Sequence, residues 1–246
     1  MGRVVTAFEL AIQDAAGIAV ATRVRPERVE LASALATGGL SPSIGLLRAA
    51  VAAGLAVHVL LRPRLGDFEY DTADRAVLLA DAREAIRAGA AGIVVGGTRD
   101  GSVDIDLVRA ALDVAGCIDE GVEVTFHRAF DTVTDRSAAL DTLTDLGVTR
   151  ILTSGGAESA ADALDELRAL VRRASGSVQI MAGAGVDPTT AAVIAATGVD
   201  AVHASAKRVV DGSSTLSLGS DPRHGSAAYE TTDEATAAAI RDAVRN

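Results

Sequence analysis

The stretch EVTFHRAFD (residues 123–131) joins a short apolar strand to a compact polar tip, and the rest of the chain repeats this arrangement. Five other apolar runs end in comparable polar or glycine clusters, namely GGLSPSIG (38–45), RPRLGDFEY (62–70), TSGGAES (153–159), GAGVD (183–187) and HASAKR (203–208). Ala- and Leu-rich stretches of helical length lie between these clusters. Strands that alternate with such helices indicate βαβ units of one parallel sheet, with the polar tips gathered at one end.

Eight strands and eight helices are predicted along the chain. The strands are Phe8–Ile12, Arg28–Ala32, Leu55–Arg62, Gly92–Gly96, Glu123–His127, Arg150–Ser154, Val178–Gly183 and Ala201–Ser205. The helices are Asp14–Arg23, Ser43–Ala53, Ala73–Ala88, Asp104–Ala115, Asp135–Leu146, Ala160–Ala174, Pro188–Ala196 and Asp233–Val244. An eight-fold series predicts an α/β protein, a closed (β/α)8 TIM-like barrel that forms one domain over residues 1–246.

Two features of this assignment have alternatives. An open doubly wound sheet would also alternate strands and helices, but its GxGxxG fingerprint is missing after the first strand, where the chain has only one glycine, Gly17. The polar, Gly- and Ser-rich segment from Val209 to Thr232 is expected to be a lid or subunit-contact loop over the barrel end, or else a plain flexible loop.

Composition narrows the classes of partner. A formal net charge of −10 and an aromatic content of 2% without Trp argue against nucleic acid and anionic membrane surfaces. No apolar run approaches the roughly 20 residues that cross a bilayer, and the first residues lack the apolar centre of a signal peptide, so a cytoplasmic location is expected. Cys117 is the single cysteine, so no internal disulfide or CxxC pair can form.

The alternation of side chains along each strand predicts which groups face the barrel interior. In the first strand, Phe8, Leu10 and Ile12 share the apolar face that should meet the helices, which turns Glu9 inward. The same reasoning places these further polar side chains inside: Glu30, His58, Arg62, Glu123, Thr125, His127, His203 and Ser205. Buried acids and histidines need partners or a function, and strand ends at the C-terminal mouth carry the sites of such barrels.

His127 is the leading candidate for a general acid or base, with Glu9 or Glu30 orienting its imidazole. A core histidine bonded to backbone is the structural alternative. We expect Arg62 to be the counter-charge of the buried carboxylates. A divalent metal on Glu9, Glu30 and His127 is a further hypothesis, although the sequence does not identify a metal.

A second set of residues is predicted to bind a small anionic ligand. Arg62, Arg64 and Asp67 lie on the tip after the third strand, where guanidinium groups can grip a carboxylate or phosphate; an internal Arg–Glu network is the alternative. Glycine amides after the sixth and seventh strands can approach an anion closely, although turns also use glycine without a ligand. The remaining predicted ligand-binding residues are Arg128, Asp131, Ser154, Gly155, Gly183, Gly185, His203 and Ser205. Lys207, the single lysine, follows the eighth strand and gives little support to a Schiff-base aldolase.

Several of these motifs together resemble one family. The segments are RVELASALATGGLSPSIG (28–45), VHVLLRPRLGDFEYD (57–71), VTFHRAFD (124–131), RILTSGGAESA (150–160), IMAGAGV (180–186) and VHASAKR (202–208), and in this order they are similar to the CutC copper-homeostasis family. The resemblance implies a TIM-like barrel, a cytoplasmic location, homodimers, and a role in copper tolerance with Cu(I) binding.

The chain departs from that family pattern at two positions. Family members commonly carry cysteines where this chain has Ala11 and Ala32. Cu(I) prefers thiolate and thioether ligands, so these alanines argue against a thiolate copper site. Three hypotheses therefore compete: a copper-binding protein, an isomerase, epimerase or lyase of a small anionic metabolite, and a non-catalytic ligand sensor that uses the same pocket.

Overall fold

Eight parallel strands close into a barrel in the computed structural model, which describes residues 6–211 and 228–245. Around the barrel the order is β1 (Ala7–Ile12), β2 (Arg28–Leu31), β3 (Val57–Leu60), β4 (Gly92–Val95), β7 (Glu123–Phe126), β8 (Arg150–Thr153), β9 (Gln179–Gly183) and β10 (Ala201–Ala204), with β10 pairing back onto β1. The predicted TIM-like barrel is therefore confirmed, and the open doubly wound sheet is wrong.

The helices pack around the outside of this barrel. They are α1 (Ala15–Val24), α2 (Ile44–Ala52), α3 (Thr72–Arg87), α4 (Ile105–Ile118), α5 (Arg136–Leu146), α6 (Leu164–Ala174), α7 (Ala191–Ala195) and α8 (Glu234–Arg245). Asp104 and Asp135 cap α4 and α5 as their sequence positions predicted. α7 begins later than predicted because Asp187 binds the amides of Thr189 and Thr190 in a separate turn.

Two hairpins supplement the barrel. The strands β5 (Thr98–Arg99) and β6 (Ser102–Val103) pair between β4 and α4. The strands β11 (Lys207–Val210) and β12 (Tyr229–Thr232) pair antiparallel after β10, so both described ends of the segment predicted as a loop are strands. The middle of that segment, residues 212–227, lies outside the described residues.

The apolar core has two parts. The larger part lies between strands and helices and includes Phe8, Leu10 and Ile12, as the strand alternation predicted. Inside the barrel the buried apolar side chains form only small clusters, such as Leu152, Met181 and Ala201. Much of the remaining interior is filled by buried polar groups, which must be paired with one another or with a ligand. No helix among the described residues is both long and apolar enough to cross a membrane.

Candidate functional site

A cavity of about 400 Å³ opens at the carboxyl ends of the barrel strands. Arg62 follows β3, His127 follows β7 and Ser205 follows β10, and all three side chains line this cavity. Glu30 and His203 line it from within β2 and β10. We call this cavity the mouth pocket; its position is the one at which (β/α)8 barrels carry their sites.

Glu9, Glu30 and His203 form a compact cluster beside the mouth pocket. One potential ligand atom from each residue lies within 4.8 Å of the others. The strand register creates this cluster, because Glu9 stands opposite His203 in the β1–β10 pair while Ala11 stands opposite Glu30 in the β1–β2 pair. The structure thus joins the two predicted carboxylates to His203 rather than to His127.

Glu9 is fully buried and bonded at both oxygens. Arg28 Nε donates to Oε2 at 2.5 Å, and His203 Nδ1 lies 2.7 Å from Oε1. Burial would raise the pKa of Glu9, but the hydrogen bond from His203 and the charge of Arg28 hold this pKa well below its usual range. Burial opposes charge on His203 too, yet Glu30 and Glu9 raise the pKa of this imidazole above 6.5. The surroundings of the pair therefore favour an ionised Glu9 and a protonated His203.

Glu30 behaves differently from Glu9. Its side chain is 95% buried at the mouth pocket, and its carboxyl group makes no hydrogen bond or ion pair within residues 6–211 and 228–245. Burial raises the pKa of Glu30 to about 7. The charge of His203 opposes this rise, and the charge of Glu9 adds to it. Glu30 is accordingly a carboxyl group that can exchange its proton at neutral pH.

The expectation that Arg62 neutralises the buried carboxylates is wrong. Arg28 neutralises Glu9 instead, because it begins β2 directly opposite that residue, and Glu30 has no counter-ion among the described residues. Arg62 lies beyond the end of β3, and its guanidinium donates to the carbonyl oxygens of Gly66 at 2.8 Å and Gly39 at 3.1 Å. Arg62 therefore ties together the loops after β2 and β3.

His127 is buried at the pocket wall with its ring orientation fixed. Its Nδ1 accepts the backbone N–H of Ala129 at 3.1 Å, which places the ring proton on Nε2. Burial and the nearby charge of Arg62 lower the pKa of His127 to about 3. Neither Glu9 nor Glu30 contacts His127 by a hydrogen bond, so the predicted carboxylate–His127 pairing is absent from the described residues.

The predicted ligand-binding residues Arg64 and Asp67 lie away from the pocket. Arg64 Nε donates to Asp74 at 2.7 Å and Nη1 donates to Asp67 at 3.2 Å on the outer tip. Neither residue lines the mouth pocket. This part of the sequence pattern therefore stabilises the loop before α3.

Arg128, Asp131 and Ser154 form a bonded group after β7 and β8. Asp131 accepts from Arg128 Nε at 2.8 Å and from the Ser154 amide at 3.1 Å. Arg128 reaches the mouth pocket, whereas Asp131 and Ser154 serve to join the two loops. Arg128 is therefore the member of this group that lines the pocket.

Of the four remaining predicted residues, two line the mouth pocket and two make only local contacts outside it. Gly185 and Ser205 line the mouth pocket, whereas Gly155 and Gly183 do not. The Gly155 amide donates to Thr153 Oγ1 at 2.9 Å, so it is already satisfied. A Cβ at Gly183 would lie 2.8 Å from Leu152 Cδ1, which explains that glycine by close packing.

The soft-metal ligands of a thiolate copper site are missing from the pocket. Ala11 lines the pocket and Ala32 packs in an internal apolar cluster with Leu60 and Val94. Cys117 is exposed on α4, and Met181 Sδ accepts from Arg28 at 3.3 Å. The residues present do not fit a thiolate Cu(I) site.

These observations define a (β/α)8-barrel protein with a carboxylate–imidazole cluster at the carboxyl end of its barrel. The CutC family model matches residues 6–208. A CutC family protein of Caulobacter vibrioides is 43% identical to this chain over 201 residues, and the matched region covers 80% of each protein. A CutC family protein of Sinorhizobium medicae is 42% identical over 188 residues, covering 76% of this chain and 75% of the relative. The chain therefore belongs to the CutC family.

A solved structure supports the same assignment. It is that of a CutC protein from Streptococcus agalactiae, which is named for copper homeostasis. Its TM-score against this chain is 0.75 at 28% sequence identity, covering 81% of this chain and 98% of the other. The barrel described here is thus shared with a solved member of the family.

Proposed function

We propose that this protein acts in copper homeostasis and binds copper as Cu(II) cargo at Glu9, Glu30 and His203. The observation that carries the proposal is the convergence of two carboxylates and one imidazole within 4.8 Å. Sites built from nitrogen and oxygen ligands bind Cu(II) more tightly than the other divalent first-row metals. The name of the Streptococcus agalactiae relative supports copper as the metal.

The oxidation state follows from the ligands. Cu(I) selects thiolate and thioether sulfur, whereas carboxylate oxygen and imidazole nitrogen suit Cu(II). Arg28 keeps Glu9 ionised, and a metal ion would replace the protons of His203 and Glu30. With His203 neutral and both carboxylates ionised, the cluster including Arg28 and Cu(II) carries one net positive charge.

Electron paramagnetic resonance of the Cu(II)-loaded full chain tests this proposal. A Cys117→Ser background is used, because the exposed thiol would reduce Cu(II). We expect one equivalent of Cu(II) with coupling to one imidazole nitrogen. His203→Asn should remove that coupling and Glu30→Gln should weaken binding by about tenfold or more, whereas the control His127→Asn should bind as the background does. An unchanged spectrum in His203→Asn would disprove the site.

An enzyme that acts on a small anionic metabolite is the second candidate, and Glu30 favours it. A carboxyl group with a pKa of about 7 and no partner among the described residues is suited to general acid–base catalysis in a pocket. Isomerisation, epimerisation and elimination all need such a proton transfer. Turnover that Glu30→Gln abolishes while ligand binding survives would establish an enzyme; binding without any turnover would indicate a sensor.

The proposal includes a cytoplasmic homodimer. Both features rest on the family resemblance alone. Sedimentation equilibrium of the full chain tests the oligomeric state, and a monomer at micromolar concentration would remove the dimer from the proposal.

A further inference from the structure

Arg62 is a buried cation without a counter-ion among the described residues. Its side chain is 92% buried, and the acceptors of its Nη1 and Nη2 groups are neutral backbone carbonyls of Thr37, Gly39 and Gly66. Within residues 6–211 and 228–245 Arg62 forms no ion pair. Its Nε–H and the nearby Tyr70 hydroxyl, with which Arg62 interacts electrostatically, are both left without a hydrogen-bond partner there. An unpaired buried charge is costly, so such a site favours an anion supplied from outside the chain.

His127 presents a second donor without an acceptor. Because Nδ1 accepts the Ala129 amide, the neutral ring must carry its proton on Nε2, and this buried Nε2–H has no partner within the described part of the chain. The imidazole is therefore a fixed neutral donor rather than a group that exchanges protons. Buried N–H groups are nearly always satisfied in native proteins.

Phe68 contacts both of the side chains that carry these donors. Its ring centroid lies 4.8 Å from that of His127, and the Arg62 guanidinium carbon lies 5.2 Å from the same phenyl centroid. All three residues line the mouth pocket. The charge of Arg62 also contributes to the low pKa of His127, as expected for neighbouring groups.

We propose that the mouth pocket binds a small carboxylate, whose oxygens accept from Arg62 Nε and His127 Nε2. The carboxylate neutralises Arg62 and satisfies both N–H groups. A carboxylate matches two donors better than a phosphate does, since a phosphate presents more acceptor oxygens and charge than these donors can satisfy. This site uses other side chains of the mouth pocket than Glu30 and His203, so it can be tested without copper. For the enzyme candidate it names the ligand class.

Proton–nitrogen NMR of the imidazole groups in the metal-free full chain tests the proposal. Acetate serves as the probe, and acetamide, which has the same shape without the charge, serves as its control. We expect acetate to shift the His127 Nε2–H signal downfield in a saturable manner, with acetamide leaving it unchanged. An equal response to both probes, or no response to acetate, would overturn the proposal, and phosphate binding more tightly than acetate would overturn the carboxylate assignment.

Two substitutions at His127 separate ligand binding from folding. His127→Asn retains an acceptor near Nδ1 for the Ala129 amide but lacks the distant donor, so it should remain folded and lose about 10- to 100-fold in acetate affinity. His127→Gln can place a donor near Nε2 but loses the backbone contact, so it should keep more affinity and unfold at a lower temperature. Equal acetate affinity in wild type and a folded His127→Asn variant would disprove the role of His127.

The copper proposal can fail without affecting this result. The NMR titration contains no metal, and His127 is outside the copper cluster. Acetate binding with no Cu(II) binding would support the carboxylate site and reject the copper site, and the reverse result would reject only the carboxylate site.

Discussion

Glu9 and His203 stand opposite each other in the β1–β10 pair, with Glu9 Oε1 lying 2.7 Å from His203 Nδ1. Arg28 occupies the other carboxylate oxygen at 2.5 Å. One buried anion thus holds two cations on the strands at either side of it. Removing that anion would leave both cations uncompensated inside the barrel.

We predict that Glu9→Gln lowers the free energy of unfolding by about 3–5 kcal/mol near pH 6. The lowered pKa of Glu9 stabilises the fold above pH 4.5, and this contribution is lost as pH falls below that value. The raised pKa of His203 stabilises the fold below pH 6.5, and this contribution is lost as pH rises through the folded-state pKa. In urea unfolding, the loss of stability of Glu9→Gln relative to wild type should be largest in the window from pH 4.5 to pH 6.5. The exposed Glu69→Gln is the control, and a loss below about 1 kcal/mol in Glu9→Gln would contradict the prediction.

Glu30→Gln should have the opposite effect. A folded-state pKa raised from 4.5 to about 7 means that ionising this carboxyl group costs up to about 3 kcal/mol of stability above pH 7. The amide cannot ionise, so the variant should gain stability over wild type as pH rises from 5 to 8 and match it below 4.5. Urea unfolding at both ends of the range measures this difference, and parallel pH profiles would show that Glu30 ionises without cost.

Copper binding should depend on pH through the same cluster. Cu(II) must displace the protons of Glu30 and His203, so affinity should rise from pH 6 to 8 by up to tenfold per pH unit for each proton released. Calorimetry in two buffers of different ionisation enthalpy counts these protons. Glu30→Gln should release one proton fewer, and proton release unchanged from wild type would place the metal elsewhere.

Strand alternation predicted the barrel and its polar interior because each strand has one apolar face against the helices. The burial of Phe8 beside the helices and of Glu9 inside follows directly from this period of two. The spacing of strand ends likewise predicted that Arg62 and His127 would share the mouth pocket. Both features follow from the residue pattern within individual strands, so they can be predicted from the sequence.

The pairing of the interior charges depends on closure and stagger, which are not local. His203 reaches Glu9 only because β10 closes onto β1, joining residues 194 positions apart. Arg28 replaces the expected Arg62 because the first residue of β2 stands opposite Glu9. The resulting stagger of neighbouring strands could not be read from the alternation of either strand. Phe68 was missed as a pocket residue because its loop folds back over the barrel end.

A final prediction concerns Gly96, which follows β4. A Cβ at this position would lie 2.5 Å from His127 Nδ1 and 3.1 Å from Ala129 Cβ, so alanine must displace the imidazole from its backbone contact. We expect Gly96→Ala to lose about 1–3 kcal/mol of stability and to lose acetate binding with it. Gly116→Ala is the matched control, since a Cβ inside α4 meets nothing within 4 Å and should add about 0.5–1 kcal/mol through helix propensity. Urea unfolding and the His127 NMR signal measure both effects. The prediction fails if Gly96→Ala leaves the His127 signal unshifted and keeps wild-type acetate affinity. That result would show that the imidazole is not held against β4, and that its fixed tautomer cannot explain ligand binding.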